Sequence, residues 1–308
     1  MADERPLVWI PFDVDELGGA PEGLRIETVV PRALDDLPDA ADGVRFYVPA
    51  YDLGAEQGEL FAGMPGLEVV QTLTAGVDHI RGRVPEGVLL CNGRGIHNAS
   101  TAELALTLTL ASLRGVPGFV DDQHRGRWHQ GWRQSLADKT VLIVGYGDIG
   151  RDVERRLVPF EVEVRRVART ARDGVHTLDD LPDLLPTADV VILVVPATSE
   201  TRGLVDATFL RRMRRGALLV NVARGPVVVT DDLVAALSDG HVHAALDVTD
   251  PEPLPQAHPL WSMPNVLITP HVGGATSAMW PRAYRLVRQQ LHRYAAGEPL
   301  ENVMSGEY

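Results

Sequence analysis

Three short segments in the second half of the chain carry side chains that together could reduce a carbonyl beside a carboxylate. Arg224 ends one apolar run, His271 follows another, and Glu252 lies between two prolines. An arginine binds a carboxylate with two parallel hydrogen bonds and polarises the adjacent carbonyl. A histidine can donate a proton to the carbonyl oxygen, and a carboxylate in contact with that histidine would raise its pKa.

Each of these residues also has an ordinary structural interpretation. Arg224 could pair with an internal carboxylate, His271 could have no chemical role, and Glu252 could be a solvated acid in a turn. The order of the three residues on successive predicted strand ends favours a shared catalytic role, because parallel strands present their carboxyl ends at one edge of a sheet.

A glycine-rich turn precedes these segments. The apolar residues 141–144 lead directly into the sequence G-Y-G-D-I-G at 145–150, and a helical stretch follows. Gly145 permits the tight turn, Gly147 admits a pyrophosphate, and Gly150 allows close packing of helix on strand. The amide groups at the start of the helix would bind the phosphates. The turn therefore predicts dinucleotide binding, with a glycine turn that binds nothing as the alternative.

The position that selects between NAD(H) and NADP(H) lacks its usual acid. An NAD-type site carries a carboxylate about 20 residues after the turn, where it binds the ribose 2′-hydroxyl. Here the chain has Ala168, Arg169 and Thr170, followed by Arg172. Guanidinium groups suit a 2′-phosphate, so the sequence favours NADP(H) unless both arginines are merely exposed loop charges. Asp173 keeps NAD(H) as the alternative cofactor.

Eleven short β-type runs, several of them continuously apolar, alternate with helical or turn-rich stretches along the chain. Such alternation predicts an α/β protein with two doubly wound parallel-sheet domains, joined near residues 98–100. Ser100 and Glu103 fit a capping box at the start of a long helix there. The predicted strands are 7–11, 25–30, 45–49, 67–73, 88–91, 141–145, 161–168, 190–195, 218–223, 243–248 and 266–270.

Composition excludes several classes of function. The net charge of −13 opposes nucleic-acid binding, and the apolar runs are too short to cross a membrane, so we expect a soluble cytoplasmic protein. Cys91 is the only cysteine, which excludes an internal disulfide and a cysteine-based metal site; no metal is expected, and Cys91 is predicted to be buried. A short-chain reductase would need the motif Tyr-x-x-x-Lys. The only lysine is Lys139, and Ser135 stands at the position where that motif requires the tyrosine, so this class is excluded.

Four motifs in one order resemble a known family. They are the turn at 145–150, N-V-A-R-G at 221–225, L-D-V-x-x-x-E-P at 246–253 and T-P-H-V-G-G at 269–274. Over essentially its full length the chain resembles the D-isomer-specific 2-hydroxyacid dehydrogenases, in particular the glyoxylate/hydroxypyruvate reductases. The resemblance implies reduction of a small 2-keto acid to the D-2-hydroxy acid, or the reverse reaction, with NAD(P)H.

The resemblance also implies roles for individual residues. Arg224 would bind and polarise the substrate, His271 would be the acid/base, and Glu252 would tune the histidine. Asp247 would hold the nicotinamide carboxamide. The backbone at Ala75 and Gly76 would bind the substrate carboxylate. Further cofactor contacts are implied at Tyr146, Asp148, Ile149, Val195, Pro196, Val222, Ala223, His271, Gly273 and Gly274, besides Arg169 and Thr170.

A domain arrangement and an assembly follow from the same resemblance. A Rossmann cofactor domain, residues 99–276, would be inserted into a flavodoxin-like substrate domain formed by 1–98 and 277–308. Two copies would form a homodimer through the cofactor domains. Trp128 and Trp132 would lie near that contact, where an indole either reaches a neighbour's active site or simply packs; Trp280 receives no role. The functional alternative is an NAD(P)H-sensing interaction protein without catalysis on the same fold.

Overall fold

A computed structural model describes residues 5–54 and 56–306 of the chain, which form two α/β units. The first unit comprises the described residues up to His97 together with those from Ser277 onward, and the second is Asn98–Thr276. Each contains one sheet, and every pairing between the named strands is parallel.

The sheet of the first unit has the strand order β2-β1-β3-β4-β5, which is the flavodoxin-like order. All four residues of β1 are buried, as expected for a strand covered on both faces. One face is covered by α8, whose Ala283, Val287 and Leu291 share a hydrophobic cluster with Val8 and Ile10. The elements are β1 Leu7–Ile10, β2 Arg25–Thr28, β3 Val44–Tyr47, α1 Gln57–Leu60, β4 Val69–Gln71, β5 Leu89–Cys91 and α8 Met279–Ala296.

The sheet of the second unit has the order β11-β10-β9-β8-β6-β7. His176 adds a single parallel bridge beyond β7, at Val167. With that bridge counted as a reduced third strand, the order is that of a Rossmann sheet. Successive strands are added on one side of β6 up to the bridge and on its other side from β8 onward, so the switch point lies between β6 and β8. The strands are β6 Thr140–Val144, β7 Glu163–Val167, β8 Val190–Leu193, β9 Leu218–Asn221, β10 His243–Leu246 and β11 Val266–Ile268.

The helices of this unit cover its sheet. The start of α2 differs from the predicted capping box, because the helix already begins at Asn98 and Ser100 lies in its first turn. The Ser100 hydroxyl instead pairs with the Thr276 hydroxyl, 2.6 Å away. The helices are α2 Asn98–Arg114, α3 Val116–His124, α4 Asp148–Leu157, α5 Leu181–Leu184, α6 Ala207–Arg212 and α7 Thr230–Ser238.

The predicted fold class is confirmed. All eleven predicted strands are present, and both sheets are doubly wound and parallel. Cys91 is fully buried, in agreement with its apolar run. Among the described residues, no helix combines the length and the apolar character that a membrane span requires.

Candidate active site

Most of the predicted site residues of the second unit follow the carboxyl ends of its strands. The turn 145–150 follows β6, Val195 and Pro196 follow β8, and Asp247 follows β10. Backbone hydrogen bonds continue between neighbouring strands there, for example from Asp247 N to Asn221 O, 2.9 Å. Parallel α/β sheets bind their ligands at this edge.

The glycine turn has the shape that a dinucleotide requires. A side chain at Gly145 would come within 2.6 Å of the Val194 carbonyl carbon, and one at Gly150 within 2.6 Å of the Gly145 oxygen. By contrast, a Cβ at Gly147 would meet nothing within 4 Å, so the backbone is open to a ligand there. Helix α4 begins directly afterwards, at Asp148, and presents its amide end to the same space. These residues fit a bound pyrophosphate.

The loop after β7 carries arginines and turns back on itself at residues 172–175. Arg169, Thr170 and Asp173 are all exposed. The Arg172 guanidinium donates to the carbonyl oxygen of Tyr146, 2.6 Å away, and therefore lies against the glycine turn. A cation, rather than a carboxylate, thus borders the turn at the end of β7, which fits a 2′-phosphate better than a 2′-hydroxyl.

Arg224 is held by its neighbours at the end of β9. The buried Asn221 donates to the Arg224 carbonyl at 3.1 Å and accepts from the Ala223 amide at 3.0 Å. A Cβ at Gly225 would come within 1.9 Å of the Thr249 oxygen, so only glycine permits the loop carrying Glu252 to approach so closely. The motif N-V-A-R-G therefore fixes Arg224 and brings in the next segment.

Glu252 and His271 are in direct contact, although they are 19 residues apart in sequence. The Nδ1 of His271 lies 2.5 Å from Oε1 of Glu252. Both side chains are partly exposed, 45% for His271 and 41% for Glu252. Because Nδ1 faces the carboxylate, Nε2 is the ring nitrogen that can exchange a proton with a ligand.

The pKa of His271 is raised above its usual value. The main cause is the hydrogen bond to Glu252, and the charges of Glu252 and Asp247 act in the same direction, whereas partial burial and the nearby Arg224 oppose it. The raised pKa increases the fraction of His271 that carries the proton, which favours its role as a proton donor.

Asp247 organises the turn that presents His271. Its carboxylate is 3% exposed and accepts from the Thr269 hydroxyl at 2.6 Å and from the amides of Val272 and Gly273, both at 2.9 Å. The Asp247 carbonyl accepts from the amide of His271 at 2.8 Å. His271 has a φ of 52°, a left-handed conformation uncommon for residues other than glycine. These bonds hold that conformation in place.

In the first unit, side chains fix the loop at Ala75 and Gly76. Asn92 donates to the Ala75 carbonyl at 2.8 Å, and the Thr74 hydroxyl donates to the Gly76 carbonyl at 2.9 Å. A Cβ at Gly93 would lie 2.6 Å from the Leu73 carbonyl and 3.0 Å from the Thr74 nitrogen, so only glycine fits there. The role of Asn92 could not be predicted from the sequence, because an asparagine after a strand has no distinctive spacing.

The three tryptophans differ in their surroundings. Trp128 and Trp132 are 92% and 100% exposed, so neither indole packs into its own unit. Trp280 belongs to the first unit and packs on Phe12 and Tyr284, with ring centroids 6.3 and 5.7 Å away.

Comparison with known proteins decides the family. Residues 106–273 match the sequence model described as D-isomer specific 2-hydroxyacid dehydrogenase, NAD binding domain. A glyoxylate reductase of Thermofilum pendens is 35% identical over 257 residues, which are 78% of this chain and 75% of that protein. The chain belongs to the D-isomer specific 2-hydroxyacid dehydrogenase family. It is accordingly an NAD(P)-dependent 2-hydroxyacid dehydrogenase.

Solved structures of this family are similar over almost the whole chain. A D-isomer specific 2-hydroxyacid dehydrogenase from Xanthobacter autotrophicus Py2, in complex with NADPH and MES, has a TM-score of 0.82 and 32% identity over 98% of both chains. An NADPH-dependent glyoxylate/hydroxypyruvate reductase from Sinorhizobium meliloti, in complex with NADP and malonate, has a TM-score of 0.81 and 26% identity, covering 99% of this chain and 98% of the other.

Proposed function

We propose that the protein reduces a small 2-keto acid to the D-2-hydroxy acid with NADP(H), and catalyses the reverse oxidation. The observation that carries this proposal is the contact of His271 with Glu252 at 2.5 Å, with Arg224 close enough to influence the pKa of that histidine. A proton donor and a carboxylate-binding cation are thus present at the strand ends that face a dinucleotide site. The similar glyoxylate and glyoxylate/hydroxypyruvate reductases support a two- or three-carbon substrate.

The proposed roles follow from the geometry. Arg224 binds the substrate carboxylate and orients the adjacent carbonyl. The cofactor supplies the hydride when bound. His271 donates the Nε2 proton to the carbonyl oxygen as negative charge develops on it, and Glu252 stabilises the imidazolium beforehand. In the oxidative direction the neutral imidazole accepts that proton. The carboxylate-binding role of Ala75 and Gly76, and the contact of Asp247 with the carboxamide, remain predictions.

A preference for NADP(H) over NAD(H) is part of the proposal. No carboxylate occupies the end of β7, and Arg172 is held against the glycine turn there. The NADPH and NADP complexes of two similar structures support the same preference. Arg169 and Thr170 lie on the same loop, so Arg169→Ala should weaken NADPH binding much more than NADH binding; equal losses would contradict the preference.

Steady-state reduction assays test the proposed reaction. NADPH and NADH are each combined with glyoxylate, hydroxypyruvate, pyruvate and bulkier 2-keto acids, and cofactor affinity is measured in parallel. We expect turnover with a small keto acid and a higher kcat/KM with NADPH. Tight cofactor binding without turnover of any substrate would instead support the NAD(P)H-sensing alternative.

We further propose a homodimer formed through the second unit. Three apolar residues of α3, Val116, Phe119 and Val120, are exposed, as are both indoles of the segment that follows. Such neighbouring apolar residues on a surface are typical of an interface. Sedimentation of the wild type should give twice the mass of the chain, and Phe119→Ser with Trp132→Ser should shift it toward monomer. A wild type that sediments as a monomer would exclude the dimer.

A further inference from the structure

A network of three side chains ties the glycine turn to α4 and β7. The Tyr146 hydroxyl donates to Glu154, a carboxylate that is 13% exposed. Arg166 donates to both oxygens of the same carboxylate, with Nε 2.9 Å from each. The second residue of the turn is thereby fixed to a helix and to the neighbouring strand. Any residue can occupy the second position of the motif G-x-G-x-x-G, so the sequence pattern alone does not indicate a role for Tyr146 or its partners.

Two guanidinium groups approach the Tyr146 ring. The Cζ of Arg166 is 5.7 Å from the ring centroid and that of Arg172 is 5.6 Å away, both within the range of cation–π attraction. Arg172 also donates to the Tyr146 carbonyl at 2.6 Å. Tyr146 therefore holds Arg172 by its ring and by its backbone, although Arg172 itself lies on an exposed loop.

Charge balance suits this corner to an anion. Glu154 is ionised, since its pKa is lowered chiefly by the hydrogen bond from Arg166. Glu154 is ion-paired with Arg166, so the positive charge of Arg172 is available to a ligand. A guanidinium has five N–H donors, and the Tyr146 carbonyl takes only one of those of Arg172. The others can serve phosphate oxygens.

We propose that Tyr146 is a positioning residue that determines cofactor specificity, since it holds Arg172 where the adenosine 2′-phosphate binds. Glu154 and Arg166 hold the tyrosine ring in turn. This inference rests on the proposed use of NADP(H). Tyr146 acts through Arg172 and does not itself need to touch the phosphate.

Calorimetric binding of two fragments isolates the effect. Adenosine 2′,5′-bisphosphate carries the 2′-phosphate, and 5′-AMP lacks it. We expect Tyr146→Leu to weaken the bisphosphate about tenfold and 5′-AMP less than twofold, because the loss of ring and hydroxyl frees Arg172. Tyr146→Phe keeps the ring and should weaken the bisphosphate only two- to threefold. Arg155→Ala removes an exposed charge from α4, the helix that carries Glu154. It serves as the matched control and should change neither affinity.

A double variant distinguishes positioning from a general structural role. If Tyr146 acts through Arg172, Tyr146→Leu should cause no further loss of bisphosphate affinity in an Arg172→Ala background. In steady state, Tyr146→Leu should raise the KM for NADPH much more than the KM for NADH. Equal weakening of the two fragments, or an additive loss in the double variant, would overturn the inference.

The failure of this inference can be told apart from that of the proposed cofactor. A wild type that binds both fragments equally would refute the preference for NADP(H), and the inference with it. A wild type that prefers the bisphosphate, together with a Tyr146→Leu variant that keeps the same preference, would overturn the positioning role alone.

Discussion

The two ends of the carboxyl edge of the six-stranded sheet are built differently. After β9, β10 and β11, the close backbone approach at Gly225 and the bonds of the buried Asn221 and Asp247 side chains to backbone place Arg224, Glu252 and His271. After β6 and β7, the carbonyl and the ring of Tyr146 contact Arg172, and the side chains of Glu154 and Arg166 hold that ring in turn. Buried side chains bonded to backbone thus set the groups of the chemical step, whereas a partly exposed network of charged and aromatic side chains sets the group expected to select the cofactor. Variants at one end should leave the function of the other intact.

The largest effect is expected at His271. His271→Asn removes the proton donor and should lower kcat about 10²- to 10⁴-fold, with the Kd of NADPH nearly unchanged. Steady-state rates and a fluorescence titration of NADPH measure the two quantities. His243→Asn is the matched control, because His243 begins β10 at the opposite edge of the sheet. A variant at His271 that kept its rate would remove the histidine from the reaction.

A smaller loss is expected at Arg224. Arg224→Gln removes a charged, two-bond contact to the carboxylate and should lower kcat/KM for the keto acid about 10- to 100-fold, through both a higher KM and a lower kcat. Arg211→Gln, which removes an exposed arginine of α6, should have no effect. An unchanged kcat/KM in Arg224→Gln would refute the role of this residue in substrate binding.

At the other end of the edge, Arg172→Ala should act on the cofactor alone. The loss of a guanidinium partner should weaken NADPH about tenfold and NADH less than twofold. kcat at saturating cofactor should stay the same. Titration of both cofactors measures the affinities, with Arg155→Ala as control. If kcat fell as much as affinity, the two ends would not be separable.

The smallest effect is a change in pH dependence at Glu252. Glu252 raises the pKa of His271, so the proton needed for reduction is lost only as the pH rises through that raised value. Glu252→Gln should lower the pKa and move the alkaline decline of kcat/KM to lower pH. Reduction should then slow several-fold in alkaline buffer and little in acidic buffer. A pH profile identical to that of the wild type and of the control Asp183→Asn would contradict this coupling.

Much of the fold could be predicted because both sheets are parallel and their central strands, such as β1 and β8, are buried and therefore continuous apolar runs. The glycine turn could be predicted because its spacing reflects backbone needs, as at Gly150. The helix α2 begins at Asn98, within the predicted joint, but the predicted capping box at Ser100 was wrong: Ser100 lies in the first turn of the helix, and its hydroxyl pairs with Thr276, a residue remote in sequence. The reduced strand at His176 could not be predicted, because it consists of a single bridge and lacks a β-type run in the sequence.

The candidate site was predictable only where local spacing specifies it. The motifs name His271 and Glu252, whereas the 2.5 Å contact between them depends on the fold. The motif at 221–225 contains Asn221, whereas Asn92 could not be predicted from a pattern, since it bonds to the carbonyl of Ala75, which it reaches only in the folded chain. Tyr146 and Arg166 both bond to Glu154, and they come together only because β6 and β7 pair in the folded sheet.

The separation of proton transfer from cofactor selection is tested most directly by one set of kinetic measurements. His271→Asn and Arg172→Ala are each assayed with NADPH and NADH, and kcat and cofactor Kd are determined for every combination. We predict that His271→Asn loses turnover equally with both cofactors and keeps both affinities, whereas Arg172→Ala keeps kcat and loses affinity for NADPH only. Turnover retained by His271→Asn, or equal loss of both cofactors in Arg172→Ala, would contradict it.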